Sequence, residues 1–272
     1  QCLASPRTLT RWDRRAGRPD VTHCPHRPAE GRWPRRLGGA AARTDGGSEG
    51  LRDGRAHGQA MPGEAARAEL LTVESYDLAL DVTDDDAVTA VFDQAKGDFG
   101  RLDRVIVNAG LGKGAPYGKG SHYANRQTIE TNVLGAAIQT EAAMAIFREQ
   151  KAGHLVLIAS VTALRGMPKS MTTYGASKAF LASLGEGIRS EMIGKPELDI
   201  DVTVLYPGYI RSEMNEKVEQ KTKFMVDTET GVRAMVVAIE GRKAKALVPA
   251  KPWVAVGSAM KVLPLSVVRK ML

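Results

Sequence analysis

The sequence predicts an α/β fold, a doubly wound parallel sheet with helices on both faces, on three observations. Short β-branched apolar runs at 103–107, 154–160 and 200–205 each close in a polar, glycine or proline turn, as buried parallel strands do. Helical patterns at 87–99, 129–148 and 173–192 alternate with them, and strand–helix–strand alternation favours a parallel sheet with right-handed crossovers. Asn108, Ser160 and Pro207-Gly208 stand where those runs end, and ligands of such sheets bind beyond the strand carboxyl ends.

In chain order, a strand is expected just before Asp81. Asp84, Asp85 and Asp86 then supply carboxylates to the positive end of the next helix. Asp103-Arg104-Val105-Ile106-Val107 leads into Asn108-Ala109-Gly110, a strand and its turn. The following helix carries Thr131-Asn132-Val133, where Asn132 is either functional or simply a polar residue inside a helix. His154 opens the run that ends at Ser160, whose hydroxyl could equally be a turn or N-cap group. Tyr174 and Lys178 come next, four residues apart and so on one helix face. An ammonium beside a phenol favours the phenolate, which would pull the tyrosine down from its usual value of about 10. With Ser160 to hold a carbonyl oxygen, the trio reads as a proton-transfer site for carbonyl–alcohol chemistry. The last strand, at 200–205, closes in Pro207-Gly208.

In that order and spacing, residues 78 to about 250 resemble a short-chain dehydrogenase/reductase, a Rossmann-type NAD(P)-dependent oxidoreductase. The resemblance implies Tyr174 as general acid/base, Ser160 on the substrate oxygen, Lys178 on the tyrosine and the nicotinamide ribose, and Asn132 in a water-mediated proton relay. It implies Asp81 and Val82 near adenine, Asn108, Ala109 and Gly110 on the adenosine side, and Pro207 and Gly208 against the nicotinamide. Residues 209–227 would form a mobile substrate loop, with Ser212 where many relatives have threonine. A homo-oligomer through the helices carrying Asn132 and Tyr174 is expected by analogy, with a hydrophobic alcohol or ketone as substrate.

The family's glycine-rich turn, which receives the cofactor pyrophosphate on backbone amides, has no convincing counterpart upstream of Asp81. The nearest candidate is 44–52, where Arg52 takes the place of the third glycine and no β-branched run precedes it. The first 70 residues hold 13 Arg, no Lys, and no Ile, Phe, Tyr or Asn; this bias suggests GC-rich coding read out of frame. Residues 1–65 are therefore expected to be an out-of-frame or disordered segment standing in for strand one, its helix and strand two. Residues 66–250 would be the enzyme domain and 251–272 an apolar tail. Ala41-Ala42-Arg43-Thr44 faintly suggests an arginine for a 2′-phosphate, which leans the choice between NADP and NAD toward NADP.

The formal charge of +7 resides mostly in the first 70 residues, where 13 Arg against 8 acids leaves +5. Acids are interspersed and stacking aromatics few, which argues against nucleic-acid binding. His23-Cys24-Pro25-His26 has no second cluster to complete a metal site, so no metal is expected. Both cysteines, Cys2 and Cys24, lie in the same segment, and no apolar stretch approaches a membrane span, so the expected location is cytoplasmic. In the tail, Pro264 forbids a single long helix, and Trp253, Met260 and Leu263 could form a lid, a packed element or a membrane-surface contact. A different class of function stays open: a family-like protein that cannot bind cofactor, acting as a binding partner or a non-functional product.

Overall fold

A computed structural model of the chain describes residues 77–212 and 224–271. The anomalous segment 1–65, with its candidate turn at 44–52, its Arg43 and its His/Cys cluster, lies outside the described residues, as does the middle of the expected substrate loop.

Among the described residues, four parallel strands form the sheet in the order β1 (Arg104–Val107), β2 (Ala152–Ile158), β3 (Asp199–Pro207) and β4 (Lys245–Val248). Val105 stands beside Leu155 and Leu157 beside Val204, so side chains alternate between two faces in register. One face packs Val105, Leu155, Leu157, Val202 and Val204 against three helices, α1 (Asp85–Phe99), α3 (Gly135–Gln150) and α4 (Met171–Ile193). The other packs Val156, Ile158, Leu205 and Val248 against Ala238 and Ile239 of α5 (Thr228–Glu240). Helices on both faces of a parallel sheet make this a Rossmann-type α/β fold. Among the described residues no helix is long and apolar enough to cross a membrane.

Local chemistry accounts for the helix ends that matter. Asp84 caps α1 by accepting from the Ala87 amide at 3.0 Å, Asp85 and Asp86 fill its first turn, and Gly100 at φ 74° stops it. The expected strand before Asp81 joins no ladder among the described residues. Leu80 and Val82 are nonetheless buried while Asp81 between them is exposed, which is the alternation of a strand. Its expected partner, strand one, would lie upstream, so β1 is the edge of the described sheet.

The expected helix at 129–148 is longer and irregular. It comprises α2 (His122–Ile129), a π turn (Glu130–Leu134) and α3 without interruption. The Gly135 amide donates to the Glu130 carbonyl, the i to i−5 step that defines the widened turn. The tail forms α6 (Ala250–Val262) and α7 (Leu265–Met271), separated at Pro264. Trp253, Met260 and Val268 are buried, the last two against Met167, whereas Leu265 and Val267 remain exposed. Strand β4 was not legible in the sequence, because Lys245-Ala246-Leu247-Val248 has one β-branched residue.

Across the α5 face runs a buried polar row. The Arg104 Nε donates to His154 Nδ1 at 2.9 Å, which places the imidazole proton on Nε2, 2.8 Å from Thr203 Oγ1. Arg104 Nη1 also pairs with Glu240 Oε1 at 2.5 Å, tying the first strand to the end of α5.

Gly135 presses on the backbone beside Asp81: a Cβ there would stand 2.6 Å from the Val82 carbonyl oxygen. Gly135→Ala is expected to cost about 1–3 kcal/mol in urea unfolding, because a carbonyl cannot rotate out of the way. Gly187→Ala, with nothing within 4 Å, should be neutral or slightly stabilising, by up to about 1 kcal/mol.

Candidate active site

The carboxyl ends of β1, β2 and β3 bring most of the expected residues together. Ser160 follows β2 in extended backbone and caps a short 3₁₀ turn (Val161–Leu164), its Oγ accepting from the Thr162 amide at 3.2 Å. Its hydroxyl lies near enough to the Tyr174 phenol to pull that group's pKa down. Tyr174 and Lys178 lie one turn apart on α4, with Nζ 5.9 Å from the phenol ring centre. Lys178 is buried, and its Nζ donates to the Ile158 carbonyl at 2.8 Å, at the last residue of β2.

The turn after β1 closes over this ammonium. A Cβ on Gly110 would sit 3.3 Å from Lys178 Nζ and 3.5 Å from Asn132 Oδ1, so the backbone approaches both groups where a side chain would crowd them. Asn132, fully buried in the π turn, accepts from the Leu111 amide at 2.6 Å. It donates to the Leu111 carbonyl and to Ser177 Oγ, each at 3.0 Å. One amide side chain thus clamps the β1 turn to the helix of Tyr174. Ser177 went unnoticed in the sequence although it stands three residues after Tyr174, whose carbonyl its hydroxyl meets at 2.8 Å.

Electrostatics depart from the expectation. The Tyr174 phenol lies above its ordinary value, not below it: burial raises it most, the nearby Ser160 hydroxyl brings it partly down, and the Tyr209 phenol pushes it up again. The expected ammonium effect is absent because Lys178, itself pushed down by burial, gives up its charge before the raised phenol ionises. Burial also lowers Lys178 itself, to about 8.

Asn108 is exposed just past β1, Ala109 is buried behind it, and Pro207-Gly208 ends β3. Asp81 and Val82 stand apart from the Ser160–Tyr174–Lys178 cluster. The Asp81 carboxylate accepts from the Thr83 amide at 2.9 Å and its hydroxyl at 2.8 Å, while Val82 meets Gly135. The glycine-rich loop after β1 is stitched down as well, by Asn125 to both backbone groups of Ala115 and by the Tyr117 hydroxyl to Thr173 Oγ1 at 3.1 Å. An open groove of about 510 Å³ between Pro116 and Leu134 contains none of Ser160, Tyr174 and Lys178, so it is not the reacting cleft. Tyr209 and Trp253 are further residues near the site whose sequence context, one loop and one apolar tail, carried no signal of their placement.

The sequence matches the short chain dehydrogenase family over residues 53–223. An uncharacterized oxidoreductase of Mycobacterium tuberculosis is 48% identical over 191 residues, covering 70% of this chain and 74% of the relative. An uncharacterized oxidoreductase of Myxococcus xanthus is 35% identical over 204 residues, covering 74% and 77%. Among solved structures, a short chain dehydrogenase from Burkholderia cenocepacia in complex with NADP superimposes with a TM-score of 0.61 at 23% identity, covering 72% of this chain and 77% of that one. A likeness at that identity concerns the fold.

The buried lysine carries a pH signature. Between about 8 and its ordinary 10.5, the unfolded chain holds more protons at Lys178 than the folded one, so this residue's contribution to stability rises with pH in that window and is smallest below it. Tyr174 works in the opposite direction, but only above its ordinary value of 10. From pH 8 to 10, the wild type should therefore gain on the order of 2 kcal/mol relative to Lys178→Met in urea unfolding. Parallel stability curves for the two proteins would contradict the assignment.

Proposed function

The chain belongs to the short-chain dehydrogenase family, and from that premise we propose that it is an NAD(P)-dependent oxidoreductase that interconverts an alcohol and a carbonyl, with Tyr174 as the general acid/base. The observation that carries this reading is Tyr174 and a buried Lys178 one turn apart on α4, with Nζ held by the carbonyl at the end of β2 under Gly110 and the Ser160 hydroxyl acting on the phenol.

The residues fit the nicotinamide and ribose half of such a cofactor. Gly110 leaves no side chain over the Lys178 ammonium, and Nζ spends one donor on Ile158, so further donors are free for ribose hydroxyls. Asn108, Ala109 and Gly110 would line the adenosine side, Asp81 and Val82 the adenine, and Pro207 with Gly208 the nicotinamide. When bound, the nicotinamide supplies or accepts the hydride.

The chain's own groups handle the proton and the substrate oxygen. Ser160 Oγ donates to that oxygen and Tyr174 delivers its phenolic proton to it in reduction, or removes the alcohol proton in oxidation. A phenol held above its ordinary value is protonated at neutral pH, ready to act as an acid. Lys178, near 8, can share a proton with solvent-linked groups at mildly alkaline pH. Asn132 would support the proton relay, its side chain already fixed between Leu111 and Ser177. A hydrophobic alcohol or ketone suits the aromatic surroundings supplied by Tyr209 and Phe224, which stack edge-on against the buried Trp253. Exposed Tyr123, Ile129 and Leu134 along α2 and the π turn support a homo-oligomer through this surface.

A second reading has one observation in its favour. The family match begins at residue 53, which leaves the nearest candidate pyrophosphate turn, 44–52, outside it. On that reading residues 1–65 do not supply the cofactor half, and the chain is a cofactor-deficient relative. Titration with NADPH and NADH separates the two and also reads the preference between them. A dissociation constant beyond about 1 mM, equivalent to roughly 4 kcal/mol of binding, would favour the deficient reading.

With an apolar ketone panel followed by nicotinamide absorbance, Tyr174→Phe should lose about a hundredfold or more of turnover while NADPH affinity changes by less than about threefold. Turnover within about tenfold of wild type would remove Tyr174 from the chemistry.

A further inference from the structure

We propose that Trp253 is a positioning residue: it sets the depth of the Pro207–Gly208 turn and the exit direction of the chain that follows it. This rests on the reading that the turn faces the nicotinamide. Trp253 sits on α6 and is fully buried. A Cβ on Gly208 would stand 1.9 Å from its Nε1 and 2.2 Å from its Cε2, so the indole lies directly on the turn's backbone. No residue but glycine fits at 208 while the indole is there.

The same ring holds two further groups. Tyr209 meets it edge-on at 5.3 Å and 75°, and Phe224 at 6.0 Å and 81°. Phe224 has φ 63°, a left-handed backbone that a bulky residue adopts only against a compensating contact. Beside these aromatics the Val226 amide donates to the Tyr209 carbonyl and the Arg211 amide to the Val226 carbonyl, each at 2.9 Å. The Gly208 amide in turn donates to Val248 at 2.9 Å, at the end of the strand that leads into α6. Turn, loop stem and tail helix therefore converge on a single side chain.

Packing area alone does not explain a tryptophan at this position. Its Nε1 is buried without a hydrogen-bond partner, a cost that a phenyl ring would avoid. What the larger ring supplies is simultaneous contact with three partners. Tyr209 also acts on the Tyr174 phenol, so the placement of Trp253 reaches the acid/base through one intermediate.

The test uses the full chain with W12F and W33F, so that Trp253 is the only indole. NADPH is titrated while indole emission and the emission of the bound nicotinamide are followed, with equilibrium dialysis as an independent measure of binding. Bound NADPH should quench Trp253 and show sensitised nicotinamide emission. W253F should hold or raise the melting temperature, because it removes the unpaired N–H. It should also weaken NADPH by about threefold to tenfold and shift the emission of the bound nicotinamide. W253L should lower both stability and affinity. Unchanged NADPH affinity and emission in W253F and W253L, with melting temperature alone moving, would overturn the proposal, as would NADPH binding that leaves Trp253 emission untouched. Binding of neither NADPH nor NADH by dialysis would overturn the cofactor reading itself, and this inference with it; should NADH alone bind, the same titrations are read with NADH.

Discussion

The site is organised around a charge taken out of water. Burying the Lys178 ammonium is unfavourable unless a fixed acceptor meets it, and the Ile158 carbonyl at the end of β2 is that acceptor. This contact ties α4 to the strand end and so determines where Tyr174 stands relative to Ser160. It also shapes the neighbourhood: a side chain on Gly110 would crowd the ammonium and the Asn132 amide alike, and Asn132 is fixed there by Leu111. A proton-transfer site follows from satisfying one cation at one strand end.

The opposite face of the sheet solves a similar problem by a different route. Arg104 enters the interior on β1, and its charge is spread between His154 on the next strand and Glu240 at the end of α5. With Thr203 completing the row, three neighbouring strands share one polar thread inside an apolar layer. Such a thread is unforgiving of strand slippage, because a one-residue shift would leave a buried cation and an imidazole without partners. The register that aligns the strand ends at the site is thus enforced from the far side as well.

Much of this was legible in the residues. The helical spacing of Tyr174 and Lys178, the β-branched runs and their polar terminators, the acidic start of α1 and the break at Pro264 all rest on local rules, and local rules operate within a few residues. What escaped depends on contacts distant in sequence. The direction of the Tyr174 shift follows from burial and from Tyr209, which is far away in sequence. Trp253 looked like one more apolar tail residue until Gly208 was found beneath it. The short β4 has little strand propensity of its own and is held by β3, with Leu205 beside Ala246.

The widened turn at Glu130–Leu134 makes this helix intolerant of length changes. A π turn amounts to an α-helix with one residue too many, so deleting a single residue there would restore regular pitch and satisfy every backbone group. It would also rotate everything on one side of the deletion by about 100° relative to the other. Either the Asn132 amide would swing off Leu111 and Ser177, or Ala136, Ala143 and Phe147 would turn out of the core. The irregularity is thus a phase adjuster between two demands on one helix, and a shortened variant with better helical geometry would be the poorer protein.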